Sequence, residues 1–241
     1  MDSLSIIIPA YNEQQRLPAT LVTVAAFLDT LAPAFAEVLV VNDGSRDSTA
    51  QVVRDFATRD PRVHLLENPG NRGKGYAVRH GMQKAQGDWI LFSDADLSAP
   101  IDELNKLWAA VQSKNADGAI GSRALDRSLI GVHQSVFRET SGKFFNLVMR
   151  LITGLPYRDT QCGFKLFSRP AAAAVAARQR IEGFGFDVEI LFIAKKHNFR
   201  ILEVPVRWNN VEGTKVSLWN GLQAFLDPLE VRRNDLRGLY R

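Results

Sequence analysis

The sequence predicts an α/β fold: a doubly wound, mostly parallel sheet with a C-terminal extension of helices and a further strand. Three observations predict it. Short β-rich apolar runs recur along residues 1–124, and near-continuous apolar character marks strands buried on both faces of a parallel sheet. Helical patterns fill the gaps between them, the alternation that builds doubly wound sheets. The 241 residues are 46% hydrophobic, enough to bury a real core, and their 23% charged residues are well mixed.

The expected strands are Leu4–Ala10, Glu37–Asp43, Arg62–Asn68, Asp88–Asp94 and Asp117–Arg123. Asp47-Ser48-Thr49 caps a helix over "AQVVRDFATR", and Pro100-Ile-Asp-Glu places acid in the first turn of "LNKLWAAVQSK". Beyond residue 125 the rhythm changes. "SGKFFNLVMRLITGL", "RPAAAAVAARQR" and "FDVEILFIAKKH" read as helices, and "RILEVPVRW" as a strand. Without repeats or long linkers, residues 1–241 are expected to form one domain, with a ligand-binding half (1–124) and a second half (125–241).

Composition excludes several classes. The net charge of +4 is modest, and although "VRRNDLRGLYR" carries four arginines, no aromatic-interleaved basic patch or zinc-finger spacing points to nucleic acid. A basic end of this kind is a solvated surface or, on the sharper reading, a contact for an anionic membrane. Cys162 is the lone cysteine, so no intramolecular disulfide forms and a reducing, cytoplasmic compartment is expected. No run of eighteen apolar residues and no leader pattern is present, which predicts a soluble or peripheral protein.

Ligands of open parallel sheets bind beyond the carboxyl ends of the strands. Those ends read Pro9-Ala-Tyr11-Asn12-Glu13, Asn42-Asp43-Gly44-Ser45, Asn68 to Gly75, Ser93-Asp94-Ala95-Asp96 and Gly121-Ser122-Arg123. Asp94 and Asp96 stand two apart; in extended chain they would share one side at about 6.5 Å. They would repel by roughly 2–3 kcal/mol at an effective dielectric of 20. A divalent cation reverses that penalty, and hard oxygen ligands suit Mg²⁺ or Mn²⁺. The glycine loop fails both phosphate fingerprints: Val78 replaces the third glycine of the dinucleotide motif, while Gly75 after Lys74 and Asn68 break the triphosphatase loop. Lys74 and Arg72 still stand at a helix start, where a phosphate can bind. His64, His80, His133 and His197 lack ligand spacing, Cys162 lacks a histidine partner, and Trp208 and Trp219 read as packing.

The set "IIIPAYNE", "VVNDGSRDST", "NPGNRGKGYAVRHG" and "SDADLSAP" resembles the nucleotide-sugar half of family 2 glycosyltransferases. "RDTQCGFKLF", "FGFDVEILFIA" and "VRWNNVEGTKVSL" resemble the dolichyl-phosphate glucosyltransferase branch. The resemblance implies a GT-A-like fold and inverting, metal-dependent transfer of a hexose from a nucleotide sugar to a polyprenyl phosphate. UDP-glucose is the expected donor. It implies that Pro9, Tyr11 and Glu13 hold the nucleoside, with Val41 and Asp43 beside the base. Asp94 and Ala95 would line ribose and pyrophosphate, and Asp96 would ligate the metal. Arg123 and Lys215 would face phosphates, and Arg123, Arg138 and Lys165 are the candidate cations for the acceptor. Two departures stand out: Asn42 replaces the commoner first aspartate, and Ser98 replaces a glutamine that assists the metal in the mannosyl branch.

A lipid phosphate is largely dianionic near pH 7, so it needs cations to place it rather than a base. A hydroxyl acceptor on a glycan or glycolipid would need a carboxylate base, for which Asp159, Asp187 and Glu189 are available. Mannosyl or N-acetylhexosaminyl transfer is a further alternative, as is nucleotide-sugar binding without turnover. The resemblance also implies contact with the cytoplasmic face of a membrane. "KFFNLVMRLITGLPY" reads either as a surface helix with Lys143, Arg150 and Arg158 at the headgroups or as a core helix.

Overall fold

The computed structural model describes residues 1–132, 149–209 and 226–241. Strands β1 (Ser3–Ala10), β2 (Phe35–Asn42), β3 (Val63–Glu67), β4 (Trp89–Ser93) and β5 (Gly118–Ser122) fall on the five apolar runs. With β7 (Phe164–Ser168) and β8 (Ile201–Pro205) they form one seven-stranded sheet, ordered β3-β2-β1-β4-β7-β5-β8. All neighbours pair parallel except β7, which runs antiparallel to both β4 and β5. The short β6 (Ile130–Val132) pairs with β9 (Trp208–Asn209) apart from this sheet.

Alternation along β1 shows how the layers are built. Ile7 joins one apolar cluster and Ile6 and Ile8 the other, because successive side chains leave opposite faces. On the Ile6 face pack α1 (Leu17–Leu31), α2 (Thr49–Ala57) and α4 (Leu104–Lys114). Leu17, Leu21, Val24 and Leu28 give α1 its three-and-four spacing of buried positions. On the Ile7 face pack α3 (Lys74–Lys84), α5 (Arg169–Arg178), α6 (Phe186–Lys196) and α7 (Asp227–Leu236). The alanine-rich stretch lets α5 lie close, with Ala171, Ala172 and Ala176 buried.

Two features differ from the expectations drawn from sequence. No strand was expected at β7, whose Phe-Lys-Leu-Phe-Ser carries a lysine in mid-strand. The basic C-terminus is not merely a solvated end: it belongs to α7 and the turn after it, with Val231 and Tyr240 fully buried. Of the helix expected over 141–155, residues 149–153 are described and helical. His133, Arg138, Lys143, Lys215 and Trp219 lie outside the described residues.

Candidate active site

The ends of β1, β2 and β4 open on a cleft of about 390 Å³. Its lining includes Pro9, Tyr11 and Glu13 after β1, Asp43 after β2, Gly73 and Lys74 at the start of α3, and Asp94, Ala95 and Asp96 after β4.

Backbone-to-side-chain bonds stitch these loops together. The amide of Asn12 donates to Ser45 Oγ at 2.9 Å, that of Arg46 to Asn12 Oδ1 at 2.8 Å, and that of Glu13 to Thr49 Oγ1 at 2.8 Å. Asn42, which stands where an aspartate is commoner, is buried and accepts from the Ser45 amide at 3.1 Å. An amide oxygen serves that bond as well as a carboxylate would, without a second buried charge.

Asp43 is also buried, and its carboxylate accepts from Asn68 Nδ2 (2.7 Å) and from the amides of Arg72 (3.0 Å) and Gly73 (2.7 Å). Three donors hold this loop against the cleft. Gly73 adopts φ +110°, and a Cβ there would meet Glu182 O at 2.4 Å, so only glycine fits between the loop and residue 182.

The Asp94–Asp96 pair is not extended. β4 ends at Ser93, and the Leu97 amide donates to Asp94 O at 3.2 Å, closing a turn with Leu97 at φ 47°. The expected same-side pair of carboxylates is therefore replaced by two separated roles. Asp94 Oδ1 pairs with Lys74 Nζ at 2.6 Å. Burial would lower the Lys74 ammonium, but Asp94 and Asp187 hold it above its ordinary value. Asp96 Oδ1 accepts from the Ser98 amide at 2.9 Å, while Thr20 Oγ1 donates to Ala95 O at 2.6 Å and fixes the turn.

This geometry fits a hard divalent cation. Both carboxylates line the cleft, and with Asp94 neutralised by Lys74, Asp96 is the one of the pair with no ion pair among the described residues. Among the described residues no group of three metal-capable side chains converges. One carboxylate completed by substrate phosphates and water is a usual Mg²⁺ arrangement.

Several of the cations expected to face phosphate have partners within the fold. Lys165 is fully buried; its Nζ donates to Cys162 O at 2.6 Å and to the Asp187 carboxylate, and it lies 5.2 Å from the Phe92 ring. It cannot reach an acceptor phosphate without leaving a buried carboxylate unpaired. Arg72 forks onto Glu182 at 2.6 and 3.0 Å. Arg123 clasps Asp159 through Nε (2.6 Å) and Nη2 (2.8 Å), 5.4 Å from the Trp208 ring, and is not part of the cleft lining. Burial alone would raise the Asp159 carboxyl, but Arg123 holds it below the usual range. Val41 is a core residue with no exposed surface.

The three carboxylates available to a hydroxyl acceptor are also occupied. Asp159 belongs to Arg123 and Asp187 to Lys165. Glu189 accepts from the amides of Arg180 (2.9 Å) and Ile181 (2.8 Å) and from Tyr240 Oη (2.6 Å). Cys162 is buried, and its thiol is pushed up to about 12 by burial and by Asp159.

The antiparallel strand brings a second loop to the same rim. Because β7 reverses direction, Gly163 at its start stands beside the end of β4, and its carbonyl accepts from the Asp94 amide at 3.1 Å. A Cβ on Gly163 would lie 2.0 Å from Asp94 Oδ2. Phe184 is a lining residue that sequence reasoning missed. Its only signal was a phenylalanine between Gly183 and Gly185, and nothing local says that residues 181–185 lie against the glycine loop.

The model of "Glycosyl transferase family 2" matches residues 5–175. A dolichyl-phosphate beta-glucosyltransferase of Drosophila melanogaster is 39% identical over 251 residues, covering 99% of this chain and 77% of that protein. Those of Homo sapiens (36%, covering 99% and 77%) and Saccharomyces cerevisiae (32%, covering 99% and 76%) are similar over the same extent. Among solved structures, mannosyl-3-phosphoglycerate synthase from Rubrobacter xylanophilus superposes with TM-score 0.69 at 17% identity, covering 98% of this chain and 75% of that one. Glucosyl-3-phosphoglycerate synthase from Mycobacterium tuberculosis, in complex with Mn²⁺, UDP-glucose and phosphoglyceric acid, superposes at 0.67 and 16%, covering 95% and 79%. These structural likenesses establish the GT-A-like fold.

Proposed function

The chain belongs to glycosyltransferase family 2, and on that premise we propose that it moves glucose from UDP-glucose onto a polyprenyl phosphate of the dolichyl type, inverting the anomeric carbon. The relatives' names support a glucosyl group and a dolichyl-phosphate acceptor, and the Mycobacterium tuberculosis neighbour in complex with UDP-glucose supports the donor. One observation carries the acceptor class: Asp159, Asp187 and Glu189 are themselves buried and each is already bonded to a partner within the fold (Arg123, Lys165 and Tyr240), so none stands ready to deprotonate a hydroxyl. A phosphate acceptor is already ionised and needs no base.

In this reading Pro9, Tyr11 and Glu13 hold the nucleoside on loops stitched to β2, and Asp43 keeps the glycine loop in place behind it. Asp94, charge-balanced by Lys74, faces ribose and pyrophosphate beside the small Ala95. Asp96 would hold Mg²⁺ or Mn²⁺, which when bound neutralises charge on the departing diphosphate. The assignment of Lys215 to the diphosphate and Arg138 to the acceptor remains part of the proposal. Residues 1–124 would serve the donor and 125–241 the acceptor, with the protein peripheral on the cytoplasmic face of a membrane.

Incubation with radiolabelled UDP-glucose, Mg²⁺ and a polyprenyl phosphate should yield organic-extractable label, abolished by chelation and by Asp96→Asn. Absence of labelled lipid with every nucleotide sugar would refute the proposal. Label entering a glycan hydroxyl would favour the hydroxyl-acceptor reading instead.

A further inference from the structure

Among the described residues nine large apolar side chains are exposed, and four of them (Leu226, Leu229, Leu236 and Leu239) fall in the last sixteen residues of the chain. Scattered exposed leucines need no explanation, but a cluster on one element does. Leu229 and Leu236 are 53% and 83% exposed and stand two helical turns apart, so both project from one face of α7. Arg232 and Arg233 are exposed between them at three- and four-residue spacing, and Arg237 comes next.

The opposite face is fixed. Val231 is fully buried, Asn234 nearly so, and Tyr240 just beyond the helix donates to Glu189 while its ring packs 6.0 Å from Phe192. Lys196 on α6 pairs with Asp235, which also lies 3.7 Å from Arg232. The remaining exposed acid of the helix is Glu230. Arg232 leans over the Phe192 ring at 5.8 Å, so the outward face presents leucines beside Arg233 and Arg237, on a helix already held on its other side.

The start of the helix lies beside the loop that carries Phe184. A Cβ on Gly185 would lie 2.2 Å from Asp227 Cγ, so the loop carrying Phe184 touches the first turn of α7. Phe184 lines the cleft yet is 39% exposed, and Leu226, next to Asp227, is 61% exposed.

We infer that the outward face of α7 docks on an anionic lipid surface, Leu229 and Leu236 entering the headgroup boundary and Arg233 and Arg237 meeting lipid phosphates. Leucines to bury beside cations to pair are the two attractions an interfacial helix combines. The purpose of docking, bringing the cleft to a membrane-borne acceptor, rests on the proposed function; the docking itself rests on the helix face. Among the described residues no helix is long and apolar enough to cross a membrane, so surface contact is the mode α7 offers.

The test is flotation of the full chain, without substrates, on phosphatidylcholine vesicles and on the same vesicles doped with phosphatidylserine. The wild type should float with the anionic vesicles, more weakly at high salt, and not with the neutral ones. Leu229→Ser/Leu236→Ser should lower that binding by about 10-fold or more. Both positions are solvent-facing, so the melting temperature should not change. Arg233→Gln/Arg237→Gln should abolish the preference for anionic vesicles. Equal flotation of wild type and leucine variant, or no flotation of either, overturns the inference. So does a leucine variant that turns a dimer into a monomer by light scattering, which would make the face a contact between copies. Transfer to a short, water-soluble prenyl phosphate should be equal in wild type and leucine variant; its absence in both would count against the proposed function and leave the flotation result standing.

Discussion

Lys165→Met separates a structural lysine from a substrate-binding one. The ammonium of Lys165 has 0% exposure, and its partner Asp187 has 4%. Methionine nearly fills the space of the removed stem but leaves the Asp187 carboxylate buried without its direct cation. Breaking a buried pair in this way costs about 3–5 kcal/mol. At roughly 2–4 °C per kcal/mol for a chain of this size, the melting temperature should fall by about 6–20 °C. Burial already pushes the Asp187 carboxyl up, against Lys165 and Lys74. Without Lys165 it rises further, so the deficit is smallest in acid and grows as pH rises through the folded-state pKa. Lys165→Met/Asp187→Leu, which removes both charges, should recover most of the loss. Thermal unfolding of the two variants, followed by circular dichroism across pH, measures this directly. A melting temperature unchanged in Lys165→Met, with transfer to the phosphate acceptor lost, would refute the reasoning and return Lys165 to the acceptor.

Other buried groups give the remaining predictions. Asp227 is buried, and its carboxyl is pushed up to about 6 by burial and by Glu230. A raised carboxyl contributes stability below its unfolded pKa that is lost as pH rises through about 6, so Asp227→Asn should stabilise by about 3 kcal/mol at neutral pH and by nothing below about pH 4. Urea titrations at the two pH values check it. Gly163→Ala should drive the Asp94 carboxylate off Lys74 and weaken UDP binding by calorimetry about 10- to 100-fold, and unchanged affinity would contradict that geometry. Asp43→Asn removes the ionised acceptor of the glycine loop and should likewise weaken UDP binding, with a smaller change in kcat than in KM for the donor. Cys162, buried and with its thiol pushed up to about 12, should react with thiol reagents only as fast as the protein unfolds.

How much of this was legible in the sequence depended on whether the deciding interaction was local. The five strands β1 to β5 were legible because runs such as Ile6-Ile7-Ile8 are apolar on both faces. The residues just past each strand then pointed to the cleft: Pro9, Tyr11, Glu13, Asp43, Lys74, Asp94, Ala95 and Asp96 all line it. The fate of the cations was not legible. An arginine facing a phosphate and one clasping Asp159 are identical letters, and only the fold sets Arg123 beside Asp159, thirty-six residues away. Lys165 concealed β7 for a related reason: a lysine in a five-residue run breaks the apolar pattern unless its buried partner is known. The geometry of Asp94 and Asp96 was misread because the strand stops one residue early, at Ser93. Phe184 reaches the cleft through a contact between loops about 110 residues apart, which no periodicity records.

The reversed strand β7 also sets an order for assembly of the sheet. β4 and β5 do not pair with each other; each pairs with β7, which comes after both in the chain. Until residues 164–168 are available, the nascent sheet is two separate pieces: β3-β2-β1-β4 and, awaiting β8, a lone β5. A ribosome-bound chain halted before Phe164 would expose the apolar edge of β4, the kind of unpaired strand that chaperones cover. The donor loops can be translated early, but the rim they share with Gly163 closes only when the second half of the chain threads back through the middle of the first.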